Sequence, residues 1–187
     1  MSGKRVRLHD LEFELMYPRE RLLARVGEIS AALFQRYQCD TPVFVPVLTG
    51  SFVFAADLVR AYEGACEIRF VRLASYEGLQ SGPELRTVIG LDDDALKGRH
   101  VIVVEDIVDT GRTLHEFLKQ VQAHEPASLC VTALLSKPTA HCFAVPLDYV
   151  GFDIPNDFVV GYGLDYSGLG RNLPDIYRLC PAIAPPG

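Results

Sequence analysis

Residues 101–114 read Val101-Ile-Val-Val-Glu-Asp-Ile-Val-Asp-Thr-Gly-Arg-Thr-Leu114. Four β-branched residues in succession make the pattern of a strand covered on both faces. The run then meets Glu105, Asp106 and Asp109, and Thr110-Gly111-Arg112-Thr113 follows. Leu114, Phe117, Leu118 and Val121 recur at helical spacing. The segment is therefore expected to be a strand, a short acidic turn and the start of a helix.

Two opposite chemistries meet in that turn. Thr110 to Thr113 offer backbone N–H groups, two hydroxyls and a glycine free to take positive φ, which at a helix N-terminus is a nest for a phosphate. The carboxylates before it repel phosphate, but they accept hydrogen bonds from sugar hydroxyls or hold a cation that phosphates share. Phosphate donors placed after acidic acceptors describe a sugar phosphate gripped at both ends. The plainer alternative is that the acids only cap and solvate the helix start. Against it, two adjacent acids directly after a buried apolar run are costly unless they are used.

Composition narrows the setting. A chain of 187 residues with 49% hydrophobic and 22% charged residues has the make-up of one globular domain with a sizeable core. No apolar run approaches the ~20 residues of a membrane span, and Met-Ser-Gly-Lys-Arg-Val-Arg is not followed by an apolar signal segment. A net charge of −6 argues against nucleic acid as a partner, and it leaves a polyanionic substrate to be bound by local donors and a metal. Cys39, Cys66, Cys130, Cys142 and Cys180 are odd in number and form no Cys-x-x-Cys pair. Free thiols in a reducing cytoplasm are the expectation. His141-Cys142 lacks further ligands at zinc spacing.

Outward from the central stretch, strands and helices alternate. Residues 1–16 alternate charged and apolar positions; Pro18 opens a helix with Leu22, Leu23, Val26, Ile29, Leu33 and Phe34 on one face. Val43 to Leu48 reads as a strand, Thr49-Gly50-Ser51 as a turn, Phe52 to Tyr62 as a crossover helix, and Glu67 to Leu73 as a strand. Ser75 to Leu91, with three glycines and a proline, is expected to be a long mobile loop. Leu129 to Leu135 reads as another buried strand, and Tyr149 to Phe152 and Phe158 to Val160 as short strand-like pieces. The pattern implies an α/β fold: a three-layer α/β/α domain with a mostly parallel sheet, binding its ligands at the carboxyl ends of the strands.

The central segment resembles the signature of the type I phosphoribosyltransferases, and more narrowly of the hypoxanthine-guanine phosphoribosyltransferases. The resemblance continues at Leu48-Thr49-Gly50-Ser51, Ser75-Tyr76, Ser136-Lys137, Phe158-Val159-Val160-Gly161-Tyr162, Leu164-Asp165-Tyr166 and Arg171, in the family's order. It implies a single domain over 1–187, with a small hood over the base built from about 1–16 and 145–187. It implies purine salvage: transfer of a phosphoribosyl group from phosphoribosyl pyrophosphate to hypoxanthine and guanine, by a homodimer or homotetramer. It further implies that Thr110, Gly111, Arg112 and Thr113 hold the 5′-phosphate and that Glu105 and Asp106 contact the ribose hydroxyls. Asp109 would exchange a proton with purine N7. Thr49, Gly50 and Arg171 would bind pyrophosphate, with a non-proline cis peptide before Thr49, where human-type members carry Lys. Lys137 would donate to the purine O6, Phe158 and Ile107 would cover its two faces, and the Val159 backbone would pair with its edge. Asp165, with Glu105 and Asp106, would reach Mg²⁺ carried by the substrate. Ser75 and Tyr76 would open a loop that closes over the site.

Three rivals fit less well. A P-loop needs glycine where Asp106 stands and lysine where Arg112 stands. A dinucleotide fingerprint at Gly161-Tyr-Gly163 lacks its third glycine, Tyr166 occupying that position. A regulator of this fold that binds nucleotide and RNA needs a basic face, and the acidic balance opposes one. A xanthine-preferring enzyme is an alternative within the same class.

Overall fold

The apolar run at 101–104 is the interior of a strand lying at the middle of the larger of two sheets. The structure, a computed structural model, describes residues 4–76, 84–89 and 95–181. In chain order its elements are β1 (Arg5–Leu8), β2 (Leu11–Tyr17), α1 (Arg19–Tyr37), β3 (Val43–Leu48), α2 (Phe52–Ala61), β4 (Glu67–Ile68) and β5 (Val71–Tyr76). There follow β6 (Glu84–Ile89), β7 (His100–Val108), α3 (Arg112–Ala123), β8 (Ser128–Ser136), β9 (Tyr149–Asp153), β10 (Val159–Val160) and β11 (Ile176–Leu179).

The large sheet runs β6-β5-β3-β7-β8-β9, with β4 also beside β3. Every pairing in it is parallel except β5 with β6. Side chains alternate across a strand, and β7 shows the consequence. Ile102 and Val104 join the core beneath α1 and α2, made by Leu22, Val26, Ile29, Leu33, Phe54 and Leu58. Val101 and Val103 join the opposite core beneath α3, with Leu114, Phe117, Leu118 and Val121. A strand sandwiched between helix layers must be apolar on both faces, which accounts for the unbroken β-branched run.

The second sheet, β1-β2-β11-β10, is antiparallel and closes over Phe13, Val160 and Tyr177. Asp175 ties it to the main layers: its carboxylate accepts from the Arg19 amide at 2.9 Å, Lys4 Nζ at 2.6 Å and the Tyr177 hydroxyl at 3.0 Å. The first of these satisfies a free N–H at the start of α1.

Four expectations need correction. Strand β7 does not stop at the acids but carries Glu105 and Asp106 within it, pairing as far as Val108 with Ser136. The hydrogen bonds of a parallel ladder offset the presence of polar side chains near its end. Glu84–Ile89, placed in a loop by its flanking glycines, pairs antiparallel with β5; residues 77–83 and 90–94 lie outside the described residues. The stretch 67–73 is two strands, β4 and β5, both alongside β3. Finally β9, inside the 145–187 span expected for the hood, is the edge strand of the large sheet, parallel to β8.

Candidate active site

Parallel strands bring their carboxyl ends to one edge, so the turns after β3, β7 and β8 lie side by side. After β7 the chain turns through Gly111, at φ +79, and enters α3. A side chain at Gly111 would press on Val145 and the Phe143 carbonyl. The Thr110 carbonyl accepts from the amides of Cys142 and Phe143 at 3.0 and 3.2 Å, which fixes the turn from behind. The helix's first internal bond runs from the His115 amide to the Gly111 carbonyl, so the amides before it have no helix carbonyl to donate to, and that of Arg112 lies 3.4 Å from the Thr110 hydroxyl. Residues 107–114 together with Glu105 line an open cleft of about 160 Å³ there. Thr110, Arg112 and Thr113 are exposed, as an anion nest requires.

The two acids of β7 are largely withdrawn from water. Burial pushes the Glu105 carboxyl well above its ordinary range, and neighbouring Asp106 adds to the rise. One Glu105 oxygen, Oε2, is buried with no hydrogen-bond partner among the described residues. Burial also pushes Asp106 up to about 6, although the Ile107 amide donates to its Oδ1 at 2.7 Å and Arg171 favours the charged form. Asp106 is directed at the turn after β3: a Cβ on Gly50 would overlap its carboxylate. That turn contains a cis peptide between Leu48 and Thr49. Thr49 is exposed, and the buried Ser51 hydroxyl donates to the Val47 carbonyl at 2.6 Å.

A third loop, 161–171, leans on the second. Gly163, at φ +105, sits so close to Gly50 that a Cβ would overlap the Gly50 carbonyl oxygen. Arg171 Nη1 donates to the Gly163 carbonyl at 2.7 Å, its Nη2 pairs with Asp165 Oδ1 at 2.6 Å, and the Gly168 amide donates to Asp165 Oδ2 at 2.7 Å. Arg171 and Asp165 are thus partnered with each other. Among the described residues no three His, Cys, Asp or Glu side chains gather as a metal cage. The carboxylate oxygens of Glu105 and Asp106 are nevertheless of the type a hard divalent cation takes.

On the other flank, Lys137 follows β8 and is almost wholly buried, its amide bonded to the Val108 carbonyl at 2.9 Å. Its Nζ donates to Asp109 Oδ2 at 2.8 Å. Phe158 is 42% exposed, with its ring centroid 5.9 Å from Phe13 and 5.7 Å from Tyr166. Val159 and Ile107 belong to one apolar cluster. Ser75 and Tyr76 are the last residues of β5, opposite Leu85 and Glu84. Two features were not read from the sequence. The Lys137–Asp109 pair joins residues 28 apart, and the Gly163–Gly50 contact was hidden in a glycine pair that was read only as an incomplete dinucleotide motif.

Residues 16–167 match the phosphoribosyl transferase domain family. The chain is 44% identical over 154 residues to a hypoxanthine phosphoribosyltransferase of Haemophilus influenzae, covering 80% of this chain and 86% of that one. It is 37% identical over 170 residues to a hypoxanthine-guanine-xanthine phosphoribosyltransferase of Tritrichomonas foetus, covering 90% and 92%. The crystal structure of a hypoxanthine phosphoribosyltransferase from Staphylococcus aureus superposes with a TM-score of 0.84 at 35% identity, over 90% of this chain and 91% of that one.

Proposed function

The chain belongs to the phosphoribosyl transferase domain family, and from that premise we propose that it transfers the 5-phosphoribosyl group of phosphoribosyl pyrophosphate to hypoxanthine, and also to guanine, in purine salvage. The products are the purine nucleotide and pyrophosphate. The observation that carries the choice of base is the Lys137–Asp109 pair at 2.8 Å. An ammonium has three donors. With one on Asp109, Lys137 retains two for the oxygen at purine C6. Adenine presents an amine there, a donor facing donors, and a site built to pair one group rejects its mismatch strongly.

The same pair organises the proton. Asp109 Oδ2 is taken by Lys137, which leaves Oδ1 to accept the proton of N7 as N9 attacks the sugar's anomeric carbon. The bond from that carbon to the pyrophosphate oxygen breaks as the new carbon–nitrogen bond forms, and the proton passes to Asp109. Thr110, Gly111, Arg112 and Thr113 hold the 5′-phosphate on outward amides and hydroxyls. Glu105 and Asp106 accept from the ribose hydroxyls. Thr49 and Gly50 receive the pyrophosphate, and Arg171 turns its planar fork to it from its bonds with Asp165 and Gly163. Phe158 and Ile107 cover the purine, with stacking contributing roughly 1–3 kcal/mol by analogy with base–aromatic contacts, and the Val159 backbone meets its edge. Asp165, Glu105 and Asp106 would be the carboxylates to hold a Mg²⁺ that arrives with the pyrophosphate, and the ion would supply charge neutralisation for that leaving group. Ser75 and Tyr76 open the expected loop; residues 77–83 and 90–94 lie outside the described residues.

The N-terminal strands and the segment after β9 form the hood over the base. With five free cysteines the enzyme works in the cytoplasm, as at least a dimer. No helix among the described residues is long and apolar enough to cross a membrane. Mixing the protein with Mg²⁺, phosphoribosyl pyrophosphate and hypoxanthine, guanine, xanthine or adenine in turn, and following the absorbance change, tests the proposal. Turnover with hypoxanthine and guanine but not adenine is expected. Turnover with adenine alone, or with no purine, overturns it.

A further inference from the structure

Tyr166 has no part in the roles above, yet its ring lies edge-on to Phe158, with centroids 5.7 Å apart and planes at 83°. The fully buried Phe13 completes a cluster of three rings, 5.9 Å from Phe158 and 6.3 Å from Tyr166. Phe158 itself is 42% exposed, and exposed side chains change rotamer freely unless neighbours restrain them. Its ring neighbours are Phe13 and Tyr166, and Tyr166 is itself held at several points. The Tyr166 amide donates to the Leu169 carbonyl at 2.8 Å and the Leu169 amide returns the bond at 3.0 Å. The Tyr166 hydroxyl donates to Asp10 Oδ1 at 2.9 Å. His9 stands edge-on to the Tyr166 ring at 5.4 Å, with Nε2 3.3 Å from the Ser167 carbonyl oxygen. His9 and Asp10 are the turn between β1 and β2, so the tip of the N-terminal hairpin clamps a ring beside the base platform.

We propose that Tyr166, anchored by Asp10, is a positioning residue that fixes the Phe158 ring in the orientation on which the purine stacks. The device links the N-terminal hairpin to affinity for the base, and it rests on the reading of Phe158 as the stacking surface. Neither Tyr166 nor Asp10 is among the residues assigned above to the sugar phosphate, so its signature is selective for one substrate.

The test is steady-state kinetics of Tyr166→Phe, Asp10→Ala, their combination, Asp10→Asn and Phe158→Leu, varying hypoxanthine and phosphoribosyl pyrophosphate separately. From the net worth of one hydrogen bond, Tyr166→Phe and Asp10→Ala should each raise the KM for hypoxanthine about three- to tenfold, with kcat and the KM for phosphoribosyl pyrophosphate within about twofold of the parent. The combination should be no worse than either alone, because both remove one interaction. Asp10→Asn keeps an acceptor oxygen and should stay near the parent. An unchanged hypoxanthine KM, additive effects, or a parallel loss in both substrates and kcat overturns the inference. If Phe158→Leu raises the hypoxanthine KM while Asp10→Ala does not, the positioning role falls and the stacking surface stands. If Phe158→Leu has no effect, the stacking surface falls and the positioning role with it. Should Tyr166→Phe fail to fold, Asp10→Ala, a change at the hairpin tip, decides alone.

Discussion

Replacing Gly163 with alanine probes how the turn after β3, the proposed pyrophosphate site, is supported. Gly163 sits at φ +105, and a Cβ there overlaps the carbonyl oxygen of Gly50. The obstacle is backbone, so no side-chain rotation relieves it. Two costs follow. Holding a residue with a side chain in that region of φ costs on the order of 1–3 kcal/mol. At about 2–4 °C per kcal/mol for a chain of this size, thermal unfolding should fall by roughly 2–12 °C. The overlap must also be relieved by a backbone displacement on the order of 1 Å, and a shift of that size at a reacting site costs about 10²-fold in rate. The displacement carries Arg171 with it, because Gly163 donates to the Arg171 carbonyl at 3.0 Å and accepts from its guanidinium at 2.7 Å. The assay is kcat/KM for phosphoribosyl pyrophosphate alongside a thermal melt. A loss of about 10²-fold in kcat/KM is expected, with a smaller change in the KM for hypoxanthine, because Lys137, the proposed partner of the base, lies on another loop. A folded variant with the parent's kcat/KM for phosphoribosyl pyrophosphate would refute the reasoning.

Asp109→Asn should lower turnover by ~10²–10⁴-fold, the usual worth of a general base, with both KM values largely kept; steady-state kinetics checks this, and undiminished turnover removes Asp109 from the proton transfer. Asp106→Asn addresses the buried acid through pH. Burial lifts the Asp106 carboxyl from 3.8 to about 6, so the folded state holds its proton more tightly than the unfolded chain does. Its contribution to stability is therefore lost as pH rises from about 4 through 6, and the difference amounts to roughly 3 kcal/mol. Without ligand, the Asn variant should be more stable than the parent by about that amount above pH 7, and the gap should close below pH 4. Denaturant melts across this range measure it, and a gap independent of pH would contradict the burial argument.

What was legible in the sequence follows from short-range physics. The β-branched run, the helix period from Leu114 to Val121 and the glycine at 111 state their own conformations, and the strand, the turn and α3 are where those residues put them. What was not legible depends on partners far along the chain. Nothing in Glu105-Asp106 announces that the strand continues through them, since that depends on the facing Ala133 to Ser136 of β8. Glu84–Ile89 becomes a strand because β5 offers it an edge, and β9 joins the large sheet because β8 does the same. In the site, Lys137 and Asp109 could be named separately, but their 2.8 Å bond required the register of β7 on β8. The aromatic cluster behind Phe158 draws Phe13 and Tyr166 from opposite ends of the chain.

The central claim is that the turn after β7 receives the nucleotide's phosphate while Asp109 and Lys137 meet its base. A crystal structure of the protein with inosine monophosphate tests it most directly. The account predicts phosphate oxygens within hydrogen-bond distance of the amides and hydroxyls of Thr110 to Thr113, with purine N7 on Asp109 and O6 on Lys137. A nucleotide bound with its phosphate elsewhere, or with Asp109 and Lys137 still joined only to each other, would contradict it.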